Sequence, residues 1–207
     1  MDIHDLRRIW AGHTPGLINA PSRYAVLCPV IERPDGLHIL LEVRAAHLRQ
    51  GGEVCFPGGR AEPGETWEHC ALRETAEELS IPPQEIEIIG KTDFICVPGK
   101  SLIQPVLGLV SPAGLKTMVP SCDEVAEVFT VPLQFLHTTK PELYTSQMKV
   151  QVQEDFPYES IGISRDYRWH NGKAEVPVWH YGRHVIWGMT ARILLDIVRH
   201  LDIANDP

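Results

Sequence analysis

Runs of apolar residues, punctuated by Pro and Gly, divide this chain into strands and helices. Tyr24 to Ile31 is apolar and rich in β-prone residues, Arg33-Pro34-Asp35-Gly36 is a turn sequence, and Leu37 to Val43 is a second apolar run. Together they predict a hairpin, with His38 in a structural role. Glu85 to Val97 and Leu102 to Val110 read as two more strands joined by Pro98-Gly99-Lys100-Ser101, and Val128 to Val131 as another, with a short helix starting near Leu133. Pro112-Ala113-Gly114 reads as a loop. Gln147 to Gln153 alternates as a strand does, and Phe156 to Lys173, rich in Gly, Arg and aromatics, reads as loops or a hairpin near the functional site. In that segment Tyr158, Tyr167 and Trp169 read as packing residues.

Helices are predicted at both ends and in the middle. A short one surrounds Leu6 to Trp10, followed by a Pro/Gly-punctuated loop to residue 20, and an amphipathic one follows Ala191 to about Leu201. Between them, Trp67 to Leu79 contains neither Pro nor Gly, and Thr66 stands where a helix N-cap would, its hydroxyl able to accept from a first-turn N–H. A chain of 207 residues fits one domain.

At 207 residues, of which 43% are hydrophobic, the chain is long enough for one sizeable core. No stretch approaches the roughly 20 apolar residues that span a membrane, and the N-terminus lacks the apolar centre of a signal peptide. The C-terminal residues are not a peroxisomal address. Cys28, Cys55, Cys70, Cys96 and Cys122 are odd in number and show no C-x-x-C spacing, so they read as reduced residues and the expected compartment is the cytoplasm. A net charge of −8 argues against a nucleic-acid partner, which calls for a basic footprint.

The chemistry concentrates between Gly51 and Ile81. On the predicted helix Glu74, Glu77 and Glu78 share one face, while Ala71, Leu72, Thr75 and Leu79 form an adjoining face suited to a core. Neighbouring like charges on a helix repel by about 0.2–0.5 kcal/mol per pair even in water, so something positive belongs among them. Clustered carboxylates are hard oxygen ligands and suit Mg2+ or Mn2+. Upstream, Phe56-Pro57-Gly58-Gly59 ends an apolar run where backbone can approach a ligand closely, and Pro63-Gly64 turns the chain into the helix.

Gly59, Glu65, Arg73-Glu74, Glu77-Glu78 and Ile81 reproduce the Nudix box, G-x(5)-E-x(7)-R-E-U-x-E-E-x-G-U with U apolar, and the chain is identified by it as resembling the Nudix hydrolases. Thr75 replaces the usual aliphatic residue and Ser80 the second Gly. Upstream, Leu40-Leu41, Arg44, Ala45, Arg49, Gly52 and Phe56-Pro57-Gly58-Gly59 resemble the accessory signature of the coenzyme A pyrophosphatase branch. Glu42 stands there where Thr is usual, and the gap between Arg49 and Gly52 is one residue short. Asp123 to Leu133 and Trp187-Gly188-Met189-Thr190-Ala191 also resemble segments of this branch.

The resemblance implies a Nudix fold, an α/β/α sandwich around a mixed β-sheet. It implies metal-assisted hydrolysis of a diphosphate, with coenzyme A or a derivative cleaved to 4′-phosphopantetheine and adenosine 3′,5′-bisphosphate. ADP-ribose, NADH or a nucleoside triphosphate are the alternative substrates, and a non-catalytic ligand sensor is the alternative class. Glu74 and Glu78 are the expected first metal ligands, with Glu77 in the shell or acting on water and a Gly59 carbonyl as a further ligand; the general base is left open. Glu127 or Glu124 is expected to complete the shell or position water. Arg44 and Arg49 are expected to bind phosphate through paired donors, beside Phe56 and Gly58, and Arg73 to orient a carboxylate. His180 and His184 lack the surroundings of zinc ligands. The expected partner is a small molecule, and a homodimer is compatible with the sequence.

Overall fold

The computed structural model describes residues 2–14, 17–18, 22–97 and 99–205, with side chains through residue 202. Pro98, in the predicted turn between strands, lies outside the described residues, as does part of the loop expected before residue 20. The hairpin is present as β1 (Ser22–Arg33) and β2 (Gly36–Arg44), antiparallel, with Val30 opposite Ile39 and Arg33 opposite Gly36. Beyond Val30 and Ile39 the two strands part, and the wedge between them is filled by the next segment of chain. There β3 (Val54–Cys55) pairs with Glu42 and Val43 of β2, and β4 (Gly58–Arg60) pairs with Tyr24 to Val26 of β1. The Leu27 N–H donates to the Pro57 carbonyl at 2.9 Å and closes the seam.

The rest of the sheet builds outward from this pair. β7 (Ser101–Val110) runs parallel to β1, and β5 (Ile86–Lys91) and β6 (Ile95–Val97) run antiparallel along its other edge. The single strand expected from Glu85 to Val97 is therefore two. Pro105 of β7 has no N–H to offer, the partner strand breaks opposite it, and the Gln104 side chain donates to the Thr92 and Pro105 carbonyls at 2.8 and 2.9 Å. β8 (Val125–Pro132) lies along the outer edge of β2 and leads into α4 (Leu133–Thr138).

Two layers cover the mixed sheet. On one face α2 (Trp67–Leu79) packs against β1, β4 and β7, over a core that includes Ala25, Leu27, Leu40, Ala71, Leu79 and Val106. On the other, α4 and α5 (Gly188–Asn205) cover Cys28, Ile39, Leu41, Val54 and Phe56. Ala191, Ile193, Leu194, Ile197 and Val198 supply the apolar stripe of α5, and its Thr190 hydroxyl donates to the Val54 carbonyl at 2.9 Å. A small second sheet, β9 (Glu142–Met148), β10 (Gly172–Tyr181) and β11 (His184–Trp187), joins this layer. The first helix, α1 (Ile3–Ala11), is capped by Asp2 and has no buried residue. Among the described residues no helix is long and apolar enough to cross a membrane.

Two further expectations change. Pro112–Thr117 is a helix, α3, because Ser111 caps it by accepting from the Gly114 N–H at 3.0 Å and Pro112 occupies the first turn, where no N–H is needed. The strand expected over Gln147 to Gln153 is instead β9, which ends at Met148 opposite Gly172 and is exposed along its whole length. Alternation signals a half-buried strand, and β9 buries neither face. The aromatics beyond it pack on one another, with Trp169 5.5 Å from Phe156 and 5.1 Å from Tyr167 between ring centroids. His38 is structural: it is buried between the Asp35 carboxylate at 3.1 Å and the Thr130 hydroxyl at 3.2 Å.

Candidate active site

The wedge delivers Gly58 and Gly59 directly beneath the carboxylates of α2. The Gly58 N–H donates to Glu78 Oε2 at 2.7 Å, holding a side chain that is only 3% exposed. Gly59 lies against the Glu74 carboxylate so closely that a Cβ there would overlap it, which is why this position has none. Gly58 has a φ of +151°, and a Cβ on it would strike the Ala25 carbonyl of β1. The glycine pair therefore acts on carboxylates and on the neighbouring strand. Phe56, expected to touch substrate, is 4% exposed and packs with Val54, Ile186 and Leu194 in the core beneath α5.

Arg73 is the counter-charge the Glu-rich helix demands. Its Nε and Nη2 grip Glu65 through both oxygens at 3.0 and 3.1 Å, Nη1 reaches Glu74 at 2.8 Å and Glu77 at 3.2 Å, and Nη2 also donates to the Arg60 carbonyl at 3.2 Å. This fork holds the Glu65 carboxyl down at about 2, with help from the Glu62 N–H. Glu74 and Glu78 shift the other way. Burial raises both, and neighbouring carboxylates add to it: Glu77 and Glu124 act on Glu74, and Glu42, Glu124 and Glu74 act on Glu78. Glu77 is more exposed and sits at the rim.

Two acids outside α2 complete the cluster. The 119–124 segment is stitched to the end of α2 by Val119 N–H to the Leu79 carbonyl and Ser121 N–H to the Glu78 carbonyl, at 3.0 and 2.7 Å. It is tied to β2 by Ala45 N–H donating to the Glu124 carbonyl at 2.8 Å, so the Glu124 charge is felt by Glu42, Glu74 and Glu78 alike. Glu42, on β2, points to the α2 side of the sheet as Leu40 does. Sequence reasoning noted it only as a departure from a pattern; a lone acid inside the run Ile39-Leu40-Leu41-Glu42-Val43 was the available signal.

Glu127 is not brought to this group. It stands opposite Val43 on β8, and Val43 and Phe129 pack on the α5 side of the sheet, so Glu127 faces away from Glu42 and α2. There it pairs with Arg183 at 2.5 Å and lies 3.4 Å from His184 Nε2, with His184 stacked on Phe129 at 3.8 Å between centroids. Of the two acids named after the box, Glu124 is the one beside the carboxylates. Arg44 is half-buried, and its charge stabilises the Glu42 carboxylate. Arg49 is exposed on the turn between β2 and β3.

The donor set fits a hard divalent cation. The charges of Glu42, Glu74, Glu78 and Glu124 act on one another where α2 meets β2, Arg73 grips Glu74 from the outer side, Arg44 offsets Glu42, and one buried oxygen, Glu42 Oε2, has no hydrogen-bond partner among the described residues. Residues 21–147 match the NUDIX domain model. The chain belongs to the Nudix family. It is 33% identical to human "Mitochondrial coenzyme A diphosphatase NUDT8" over 190 residues, covering 90% of this chain and 72% of that protein. It is 36% identical to mouse "Peroxisomal coenzyme A diphosphatase NUDT7" over 138 residues, covering 65% of this chain and 56% of that protein. The crystal structure of a MutT/nudix family protein from Enterococcus faecalis superposes with a TM-score of 0.54 at 16% identity, over 98% of this chain and 70% of that one, and shares the fold.

The two departures from the Nudix box are accommodated locally. Thr75 is fully buried, and its hydroxyl donates to the Ala71 carbonyl at 2.7 Å, so it packs as Val would without an unsatisfied group. Ser80 takes the left-handed conformation that Gly would, at φ +56°, and its N–H donates to the Ala76 carbonyl at 3.0 Å. The shortened gap before Gly52 is absorbed in a closed turn: Gly52 N–H donates to the Arg44 carbonyl at 2.9 Å and Arg44 N–H to the Glu53 carbonyl at 3.0 Å. As a Nudix hydrolase, the chain acts on diphosphate compounds.

Proposed function

We propose that this chain is a Mg2+- or Mn2+-dependent diphosphatase of coenzyme A or its derivatives, releasing 4′-phosphopantetheine and adenosine 3′,5′-bisphosphate. The observation that carries the reading is the stretch from Leu40 to Gly59. It resembles the coenzyme A pyrophosphatase signature, its shortened turn closes through backbone hydrogen bonds at Arg44, and Gly58-Gly59 are paired with β1. The two mammalian relatives described above, both named coenzyme A diphosphatases, support it.

Glu74 and Glu78 would hold the cation, with Glu77 at the rim and the Gly59 carbonyl as further donors. Bound there, the cation supplies charge neutralisation at the diphosphate and a nucleophilic water at neutral pH. Arg73 fixes the rotamers of Glu74 and Glu77, so the carboxylates are oriented before substrate arrives. Glu74 or Glu77 takes the proton of the attacking water. Arg44, with Arg49 on the adjoining turn, provides guanidinium forks for phosphate oxygens that stay charged at any working pH. The cytoplasm is the compartment proposed, on the strength of five free cysteines.

The test is divalent-metal-dependent turnover of coenzyme A, acetyl-coenzyme A, ADP-ribose, NADH and a nucleoside triphosphate, with Glu78→Gln as control. Coenzyme A compounds leading the panel, with the control reduced by about a hundredfold or more, upholds the reading. ADP-ribose or a triphosphate leading the panel refutes the substrate and leaves the family chemistry standing.

A further inference from the structure

The most deeply placed acid of the cluster lies outside the Nudix box. Glu42 is 1% exposed, at the end of a strand whose neighbours are apolar, and its two oxygens have different fates. Oε1 accepts from the Cys55 thiol at 3.2 Å, while Oε2 is sealed from solvent without a hydrogen-bond partner among the described residues. A buried carboxylate oxygen left without a donor is an arrangement folds rarely retain. The surroundings do not relieve it. Glu42 is the charge that acts most strongly on Glu78, Glu124 presses from beside it, and Arg44 is the cation that offsets them. Glu78 is itself 3% exposed, so two buried acids act on one another with little exposure to bulk water.

We propose that Glu42 is a metal ligand of this enzyme: the unpartnered Glu42 Oε2, with Glu78, offers a buried cation position on the strand side of the Glu74–Glu78 cluster, suited to Mg2+ or Mn2+. The chemistry is that of hard oxygen donors and a cation that relieves their mutual repulsion. Strand β2 and helix α2 hold the ligands from opposite sides. The Gly58 N–H fixes one Glu78 oxygen and the Cys55 thiol fixes one Glu42 oxygen, which leaves the second oxygen of each for the cation. The site takes an acid where the coenzyme A signature has Thr, so this chain holds its cation with one carboxylate more than that pattern provides. The inference rests on the metal-dependent reading above and is tested apart from turnover.

Mn2+ binding is titrated by electron paramagnetic resonance on the wild-type chain, Glu42→Gln, Glu42→Thr and Glu78→Gln, with melting curves recorded with and without Mn2+. Glutamine keeps the size of the side chain and Thr restores the signature residue, so one variant keeps the question open if the other misfolds. The expected result is at least a tenfold loss of Mn2+ affinity, or one bound ion fewer, in both Glu42 variants. Their metal-free melting temperature should equal or exceed that of wild type, and the rise on adding Mn2+ should be smaller. Wild-type binding retained in Glu42→Gln and Glu42→Thr but lost in Glu78→Gln overturns the proposal and shows that Glu42 only shares a proton with Glu78. A wild-type chain that binds no Mn2+ overturns the metal reading, and this proposal with it.

Discussion

Gly59→Ala isolates what the close approach of β4 to α2 contributes. The new Cβ would stand 2.6 Å from Glu74 Oε1 and nearer still to Oε2 and the carboxyl carbon, where ordinary contact begins at 3.4 Å. The backbone at Gly59 does not need a positive φ, so alanine fits the strand and the strain falls on the Glu74 side chain. That carboxylate must withdraw by about 1 Å, against the 2.8 Å bond that Arg73 makes to it, and a displacement of that size in catalytic machinery typically lowers rate by about a hundredfold. At 25 °C this is about 2.7 kcal/mol on the barrier. Because the far end of a long side chain yields, the loss of folding stability should stay at about 1 kcal/mol or less. Gly90→Ala, whose Cβ meets nothing within 4 Å, is the matched control. Turnover, Mn2+ affinity and urea denaturation on both variants decide it. Full activity in Gly59→Ala, or unfolding without a selective loss of metal binding, would refute the reasoning.

Ser80→Gly relieves a left-handed serine at the end of α2 and should raise stability by roughly 0.5–1 kcal/mol in urea melts, since only Gly takes that conformation freely; an unchanged or lowered midpoint contradicts the cap assignment. Glu127→Gln should keep turnover within about threefold of wild type, because its partners are Arg183 and His184 on the far face of the sheet; a hundredfold loss in steady-state assays would restore it to the catalytic group. Glu65 has its carboxyl lowered from 4.5 to about 2, first by the Arg73 fork, so the native state holds fewer protons than the unfolded chain in that window. Its contribution is present above pH 4.5 and lost as pH falls through about 2. Glu65→Gln should therefore flatten the acid limb of the stability curve, and parallel curves for the two proteins would exclude the linkage.

The helix and the hairpin were legible because their signals are local. Thr66 as N-cap, the unbroken run to Leu79, and the Pro34-Asp35-Gly36 turn each depend on residues a few positions apart. The assembly of the carboxylates was legible only in part. Spacing placed Glu74, Glu77 and Glu78 together on α2, but Glu124 arrives through the backbone bonds of the 119–124 segment and Glu42 through the face it takes on β2. Period-two alternation assigns two faces to a strand without saying which face meets α2, so neither Glu42 nor the outward turn of Glu127 followed from the pattern. Phe56, read as a substrate contact, sits on the side of the wedge that meets α5. Pro112–Thr117 was masked by its composition: Ser111-Pro112-Ala113-Gly114 is as good a helix start as it is a loop.

The seam between β1 and β2 bears on motion as well as placement. Gly58 and Gly59 are paired with Val26 and Ala25, and Pro57 is held by the Leu27 N–H, so the loop beneath the carboxylates is itself a rung of the central sheet. Such a loop has no separate opening transition: its amides should exchange with solvent only when β1 itself unfolds, unlike those of a tethered flap. Ligand arrival then finds the floor of the pocket already immobile, and little configurational freedom remains to be surrendered there. Adjustment to substrates of different length falls to the turn from Ala46 to Gly51, between β2 and β3, which lies outside the ladder.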